Sequence, residues 1–194
     1  MIDYRKIADA VDYYRGLGYK YTEVPWIVSR GATSITKPDW CRNFETYMGD
    51  LVASGEQSFL EIRAHLQGKY VCVTPCFRDE KVVDDFSRNW FMKVELINVK
   101  PKYPDLASKM IMMDAFGFYQ KYGKVSIEMT DEGMDLQMNG IEIGSYGFRS
   151  KKANYRGEDF MIGIDWNDPF TEGEFVWAYG TGCAEPRLSQ AIKG

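Results

Sequence analysis

The sequence predicts an α+β fold, an antiparallel β-sheet flanked by helices, and three observations carry that prediction. Residues 70–100 read as a long hairpin: Tyr70, Cys72 and Thr74 alternate with Val71 and Val73, a charged loop follows, and Phe91, Val94 and Leu96 to Val99 form a β-prone return. Residues 3–18 and 101–124 carry apolar side chains at helical spacing. Residues 125–152 and the apolar run beginning at Phe175 are again β-prone, with Asn139-Gly140 as a strong hairpin dipeptide. At 194 residues, 45% hydrophobic and 15% aromatic, the chain can bury a substantial core, and a single domain over 1–194 is expected.

Composition excludes several classes of function. A net charge of −4 provides no overall basic field to draw in nucleic acid, although a local patch remains allowed. The N-terminus lacks the apolar core of a signal peptide and no apolar run reaches 18 residues, so a cytoplasmic protein without a membrane span is expected. Cys41, Cys72, Cys76 and Cys183 form no CxxC pair and accompany a lone His65, which is poor zinc-site spacing and reads as reduced thiols.

In chain order, Ile7, Ala10, Val11 and Tyr14 make the stripe of an amphipathic helix that ends at Gly16 and Gly18. A strand over 19–31 follows, and its Pro25 belongs at an edge or a bulge because it cannot donate to a ladder. Residues 31–49 are mixed, with turns marked by Pro38, Asp39 and Asn43. From 51 a short strand passes through Ser54 and Gly55 into a helix with Phe59, Ile62 and Leu66 at helical spacing. Ser54 suits the N-cap and Gln57 a capping box. Glu56 is left over, although the helix dipole alone favours an acid in a first turn.

The hairpin itself has unusual polar content. Arg78 and Glu80 are two positions apart and so share a face, and Lys93 and Glu95 repeat the spacing on the return strand. Such a set is costly to bury; it is either a solvated face with cross-strand ion pairs or a site. The helix at 101–124 has Leu106, Met110, Met113 and Gly117 on one side and Ile111, Ala115, Phe118 and Tyr122 on the other, the pattern of a helix buried between layers, with its methionines as core filler. Further on, Glu142 and Ser145 fall on opposite faces of a regular strand unless a bulge at Gly144 brings them together. Arg149 and Lys151 either meet phosphate or are solvated. Near the C-terminus, Gly180 and Gly182 let backbone approach a ligand closely, and a helix begins near Pro186. Arg187 in its first turn is misplaced for the dipole and calls for an anionic or aromatic partner.

These stretches resemble a family. CFRDE at 76–80 and FMKVE at 91–95 are similar to the two halves of motif 2 of class II aminoacyl-tRNA synthetases, in the form of the seryl branch. Ser54-Gly55-Glu56 resembles the Thr-x-Glu element, Glu142 to Ser145 the Glu-Ile-x-Ser strand, and Gly180, Gly182 and Arg187 motif 3. The helix and strand ending in Glu-Val-Pro at 23–25 resemble motif 1.

The resemblance implies activation of an amino acid or similar carboxylate with ATP and Mg2+ to an acyl-adenylate. It implies that Arg78 clamps the α-phosphate and substrate carboxylate, Glu80 reads the adenine amino group, and Phe91 and Arg187 sandwich the ring. Glu142 and Ser145 would hold Mg2+, Glu56 would receive the α-amino group with Glu95 and Lys93 beside it, and a homodimer would form near Pro25. Zinc held by Cys or Glu side chains at the amino-acid pocket is a further possibility in this branch. No coiled-coil arm, anticodon-binding domain or basic tail is seen, so tRNA ranks low as acceptor, behind a small molecule or a carrier protein. Two alternatives stay open: a catalytically inactive nucleotide-binding paralogue, which Glu185, Pro186 and the short final helix would suit, and an ammonia-dependent amide ligase.

Overall fold

The predicted hairpin forms the second and third strands of a seven-stranded sheet in the computed structural model, which describes residues 1–37, 41–63, 66–84, 86–131, 133–152 and 174–194. His65, Pro38 and Asp39 lie outside the described residues. The chain runs α1 (Tyr4–Gly16), β1 (Lys20–Tyr21), β2 (Ile27–Val28), α2 (Arg30–Thr36), β3 (Glu45–Thr46), β4 (Gly49–Leu51), α3 (Gly55–Glu61), β5 (Gly68–Phe77) and β6 (Trp90–Val99). It continues with α4 (Pro104–Tyr119), β7 (Val125–Thr130), β8 (Gly133–Met138), β9 (Ile141–Lys152), β10 (Glu174–Glu185) and α5 (Arg187–Lys193). The large sheet has the order β1-β5-β6-β10-β9-β8-β7 and is antiparallel except where β1 lies parallel to β5. Strands β2, β4 and β3 form a small second sheet.

Strand alternation divides the side chains of the large sheet between two cores. Val71, Val94, Leu96 and Ala178 face α1 and α4, joining Ile7, Ala10, Tyr14, Ile111, Ala115 and Phe118. Cys72, Ile97, Val99, Trp177 and Tyr179 face the other way, toward Val28, Ala32, Val52, Phe59 and Leu60 of α2, α3 and the small sheet. Strands β5, β6 and β10 are covered on both faces and so send apolar side chains both ways, whereas β8 buries only alternate residues and β7 is largely exposed.

Three expectations change. The strand expected through Pro25 is interrupted there: β1 ends at Tyr21, β2 begins at Ile27, and Pro25 belongs to neither. The stretch 31–49, read as irregular, holds α2, whose N-cap Ser29 accepts from Ala32 N. The helix α4 is not buried on two sides. Ile111, Ala115 and Phe118 are buried, but Leu106, Met110 and Met113 are about half exposed, and of this helix's methionines Met112 is the one that enters the core. Periodicity finds apolar stripes, but a helix lying on one face of one sheet has a partner for only one of them.

The close packing of Gly180 and Gly182 also differs from the sequence reading. A Cβ on Gly180 would fall inside contact distance of Tyr146 Cδ1 and 2.7 Å from Ile111 Cγ2, and one on Gly182 would lie 2.7 Å from Tyr14 Cε2. The crowding is on the helix side of β10, so these glycines make room for tyrosine rings in the core. Gly180→Ala should therefore destabilise the fold by about 1–3 kcal/mol through overpacking, seen as a lower urea midpoint with an unchanged slope. Wild-type stability in that variant would remove the packing explanation.

Candidate active site

The site grows out of the loop end of the hairpin. Strand β5 ends at Phe77, and Arg78 N extends the ladder by one bond to Asn89 O (2.9 Å). Arg78 Nε donates to Ala53 O (3.1 Å), and its guanidinium lies 5.1 Å over the Phe91 ring. The loop beyond is folded on itself by Asp84, whose carboxylate accepts from Phe86 N (2.8 Å) and Ser87 N (2.6 Å). Its tip is tied to α5: Arg187 Nε and Nη2 donate to Phe86 O, and Arg187 Nη1 lies 3.6 Å from Glu142 Oε1. The anionic partner that Arg187 calls for at a helix N-terminus is therefore Glu142.

Lys93 and Glu95 are not a solvated ion-pair face. Both are buried, and the pairing runs along one strand, Lys93 Nζ to Glu95 Oε2 at 2.8 Å. Ser54 Oγ donates to the same oxygen (2.6 Å) while accepting from Glu56 N (3.2 Å), so one hydroxyl caps α3 and fixes a buried carboxylate. The other oxygen, Glu95 Oε1, is buried with no hydrogen-bond partner among the described residues. Gly55 is required by this packing, since a Cβ there would lie 2.7 Å from Glu95 Cβ. Gln57 departs from the expected capping box: its Oε1 accepts from Ala53 N (2.8 Å), one residue before the cap.

Glu56 is 4% exposed, with Arg149 Nη1 at 2.9 Å from one oxygen and Trp177 Nε1 donating to the other at 2.6 Å. The Arg149 guanidinium also lies 4.5 Å over the Tyr179 ring. Burial pushes the Glu56 carboxyl up, against the pull of Arg149 and Trp177. Sequence reasoning missed Trp177 and Tyr179, because in an apolar strand they read as core. The available signal was the Trp177 indole N–H, which needs an acceptor when buried.

The bulge that Glu142 and Ser145 need is present, one residue before the expected Gly144. Gln137 pairs with Glu142 but Leu136 with Gly144, so β9 holds one extra residue at Ile143. Ile143 and Tyr146, three positions apart, consequently enter the same core, and Glu142 and Ser145 both line the cavity. A carboxylate and a hydroxyl are hard oxygen donors, a set that fits Mg2+ bound mainly by substrate phosphates. Among the described residues no group of three or more His, Cys, Asp or Glu side chains could hold a metal. All four cysteines are buried and unpaired, and only Cys41 reaches the cavity.

These segments enclose a cavity of about 290 Å³. Arg78, Glu80, Phe91, Lys93, Glu56, Glu142, Ser145 and Arg187 all line it, and Glu95 lies behind Lys93 and Ser54. With Lys37, Arg88 and Arg149 the lining has, among the described residues, six cationic side chains against the three acids Glu56, Glu80 and Glu142, an excess suited to a polyanionic ligand. Lys37 and Arg88 lie in loops, where no periodicity marks them.

No family model and no curated protein sequence matches the chain. Solved structures do. The seryl-tRNA synthetase of Pyrococcus horikoshii complexed with ATP aligns over 94% of this chain and 47% of its own, with TM-score 0.64 and 18% identity. The cytoplasmic serine-tRNA ligase of Naegleria fowleri in complex with AMP aligns over 96% of this chain and 46% of its own, with TM-score 0.65 and 16% identity. The fold is thus class II synthetase-like, and the chain spans about half the length of these structures.

The raised Glu56 carboxyl has a signature in stability. Between its unfolded value of 4.5 and its folded value the native state binds more protons. Its contribution is therefore fully present below the unfolded value and is lost as pH rises through the folded one. Glu56→Gln removes that dependence. In denaturation series from about pH 4 to pH 7, the variant should gain on wild type as pH rises; parallel curves would contradict a raised carboxyl.

Proposed function

We propose that this protein is an ATP-dependent ligase that activates an amino acid or similar carboxylate as an acyl-adenylate. The observation that carries the reading is convergence. Four segments distant in sequence, 54–56, 78–95, 142–149 and 179–187, bring the residues that resemble synthetase motifs onto one cationic cavity. In the reaction an oxygen of the substrate carboxylate forms a bond to the α-phosphorus of ATP, and the bond to the departing pyrophosphate breaks. The protein's part is positioning and charge neutralisation.

Arg78, with Nε held by Ala53, presents the rest of its fork to the α-phosphate and the carboxylate. Phe91 and Arg187 hold the adenine ring between them, and Glu80 accepts from its amino group. Arg78 now covers the Phe91 ring, so nucleotide binding on this reading shifts Arg78 toward the phosphates. Glu142 and Ser145 would hold Mg2+, which when bound would supply neutralisation of phosphate charge. Glu56 receives a substrate ammonium, with Lys93 and Glu95 fixing the adjoining wall. The acceptor is a small molecule or a carrier protein ahead of tRNA.

An inactive paralogue is less well supported. Glu185, which departs from the motif, accepts from Ser189 Oγ and Asp3 N and so latches α5 to the start of α1, a structural duty that leaves the cavity intact. The same proposal includes a homodimer through the segment near Pro25, where Tyr21 and Trp26 are exposed. Light scattering at micromolar concentration should give a dimer that Trp26→Glu dissociates; a wild-type monomer would remove this assignment.

Amino-acid-dependent exchange of labelled pyrophosphate into ATP, screened over the common amino acids without tRNA, tests the activity. One or a few should support exchange. Arg78→Ala should then lower the rate about 10²–10³-fold with the fold intact, whereas Arg187→Ala should weaken ATP binding by about 0.5–2 kcal/mol, as loss of a ground-state stacking partner does. ATP binding with no exchange for any amino acid favours the inactive paralogue or a carboxylate substrate outside the common amino acids. No ATP binding refutes every nucleotide contact named.

A further inference from the structure

Three fully buried tyrosines end on backbone carbonyls at the irregular points of the two strands that floor the cavity. Tyr119 Oη donates to Ile143 O (2.9 Å), at the extra residue of β9. Tyr146 Oη donates to Thr181 O (2.7 Å) and Tyr14 Oη to Gly182 O (2.8 Å), where the register of β10 against β6 shifts between Thr181 and Cys183. An extra residue in one strand has no opposite number in its neighbour, so a bulge leaves backbone groups that the ladder cannot satisfy. In this protein a phenol donates to a carbonyl at each of these points. Burial pushes all three phenols well up, so they remain protonated donors throughout the working pH range.

The β9 bulge has a chemical consequence, because it alone turns Glu142 and Ser145 to the same side of the strand. We infer that Tyr119, through its hydrogen bond to the Ile143 carbonyl, is a positioning residue for the metal-phosphate subsite, holding the bulge that sets Glu142 beside Ser145. This rests on the reading that these two residues hold the ATP-bound magnesium. Tyr119 sits on α4 on the far side of the sheet from the cavity and does not line it. Its hydroxyl holds the backbone carbonyl next to Glu142, one step further out than the partners of ligand side chains that are worth about 10–100-fold in metal affinity, so the lower end of that range is its upper limit.

The test is calorimetric titration of the whole chain with ATP, in EDTA and at a series of Mg2+ concentrations. Tyr119→Phe should raise the Mg2+ needed for half-maximal ATP binding by up to about 10-fold, with ATP affinity in EDTA unchanged. Tyr14→Phe, which removes a phenol from the same core but from a carbonyl of β10, should leave the Mg2+ dependence at wild type. An unshifted Tyr119→Phe, an equal shift in Tyr14→Phe, or equal loss of binding with and without Mg2+ each overturns the inference. Glu142→Gln separates the two levels. If it shifts the Mg2+ dependence and Tyr119→Phe does not, only the positioning role fails; if neither shifts it, the magnesium assignment fails as well. Should Tyr119→Phe not fold, Gly144→Ala is read by the same criteria, since its methyl would press on Tyr146 Oη inside the same bulge.

Discussion

A one-residue slip of β6 against β5 would place Lys93 and Glu95 under the helices and Val94 and Leu96 in the cavity, and the rest of the structure depends on that slip not occurring. Pairing of Cys72 with Glu95 and Val73 with Val94 sets the register. Because side chains alternate, one register sorts every residue of the hairpin between an apolar face that binds α1 and α4 and a face that carries charge. The apolar face enforces the sorting. Val71, Val94 and Leu96 are all fully buried there, and reversing them would exchange a packed core for buried charges without partners.

Within that frame, the cavity is built by departures from regular sheet. A strand with strict alternation cannot turn residues three apart to one side, so β9 takes an extra residue and β10 a register shift. Both irregularities are held from the opposite side of the sheet by tyrosines of α1, α4 and β9. The glycines at 144, 180 and 182 leave room for those rings. The helix layer and the cavity are therefore one mechanical unit, although no side chain of α1 or α4 lines the cavity.

Charge inside the cavity is arranged so that each buried ion is tied to the scaffold. Glu95 is held by Lys93 and Ser54, and Glu56 by Arg149 and Trp177. Removing one member of a buried pair leaves an uncompensated charge, which is far more costly than the pair is stabilising. Such pairs fix geometry more than they add stability. Arg187 serves the same end at the rim, joining the loop after β5 to α5 and to Glu142.

How much of this could be read from residues alone varied with the range of the interaction. The hairpin, α1, the N-cap Ser54, the need for a bulge before Ser145 and the need for a partner at Arg187 were legible, because each follows from local periodicity or from the valence of a nearby backbone group. The outer face of α4, the break at Pro25 and the helix α2 were not, because which apolar stripe finds a partner depends on elements far along the chain. The Trp177–Glu56 bond joins residues 121 positions apart, and the Tyr119 and Tyr146 bonds join strands and helices that sequence spacing cannot relate. Sequence by itself determined which segments alternate and which polar residues were too costly to be idle. Only the tertiary structure decided which of them meet, because a hydrogen bond across the fold depends on the register of every strand between its ends.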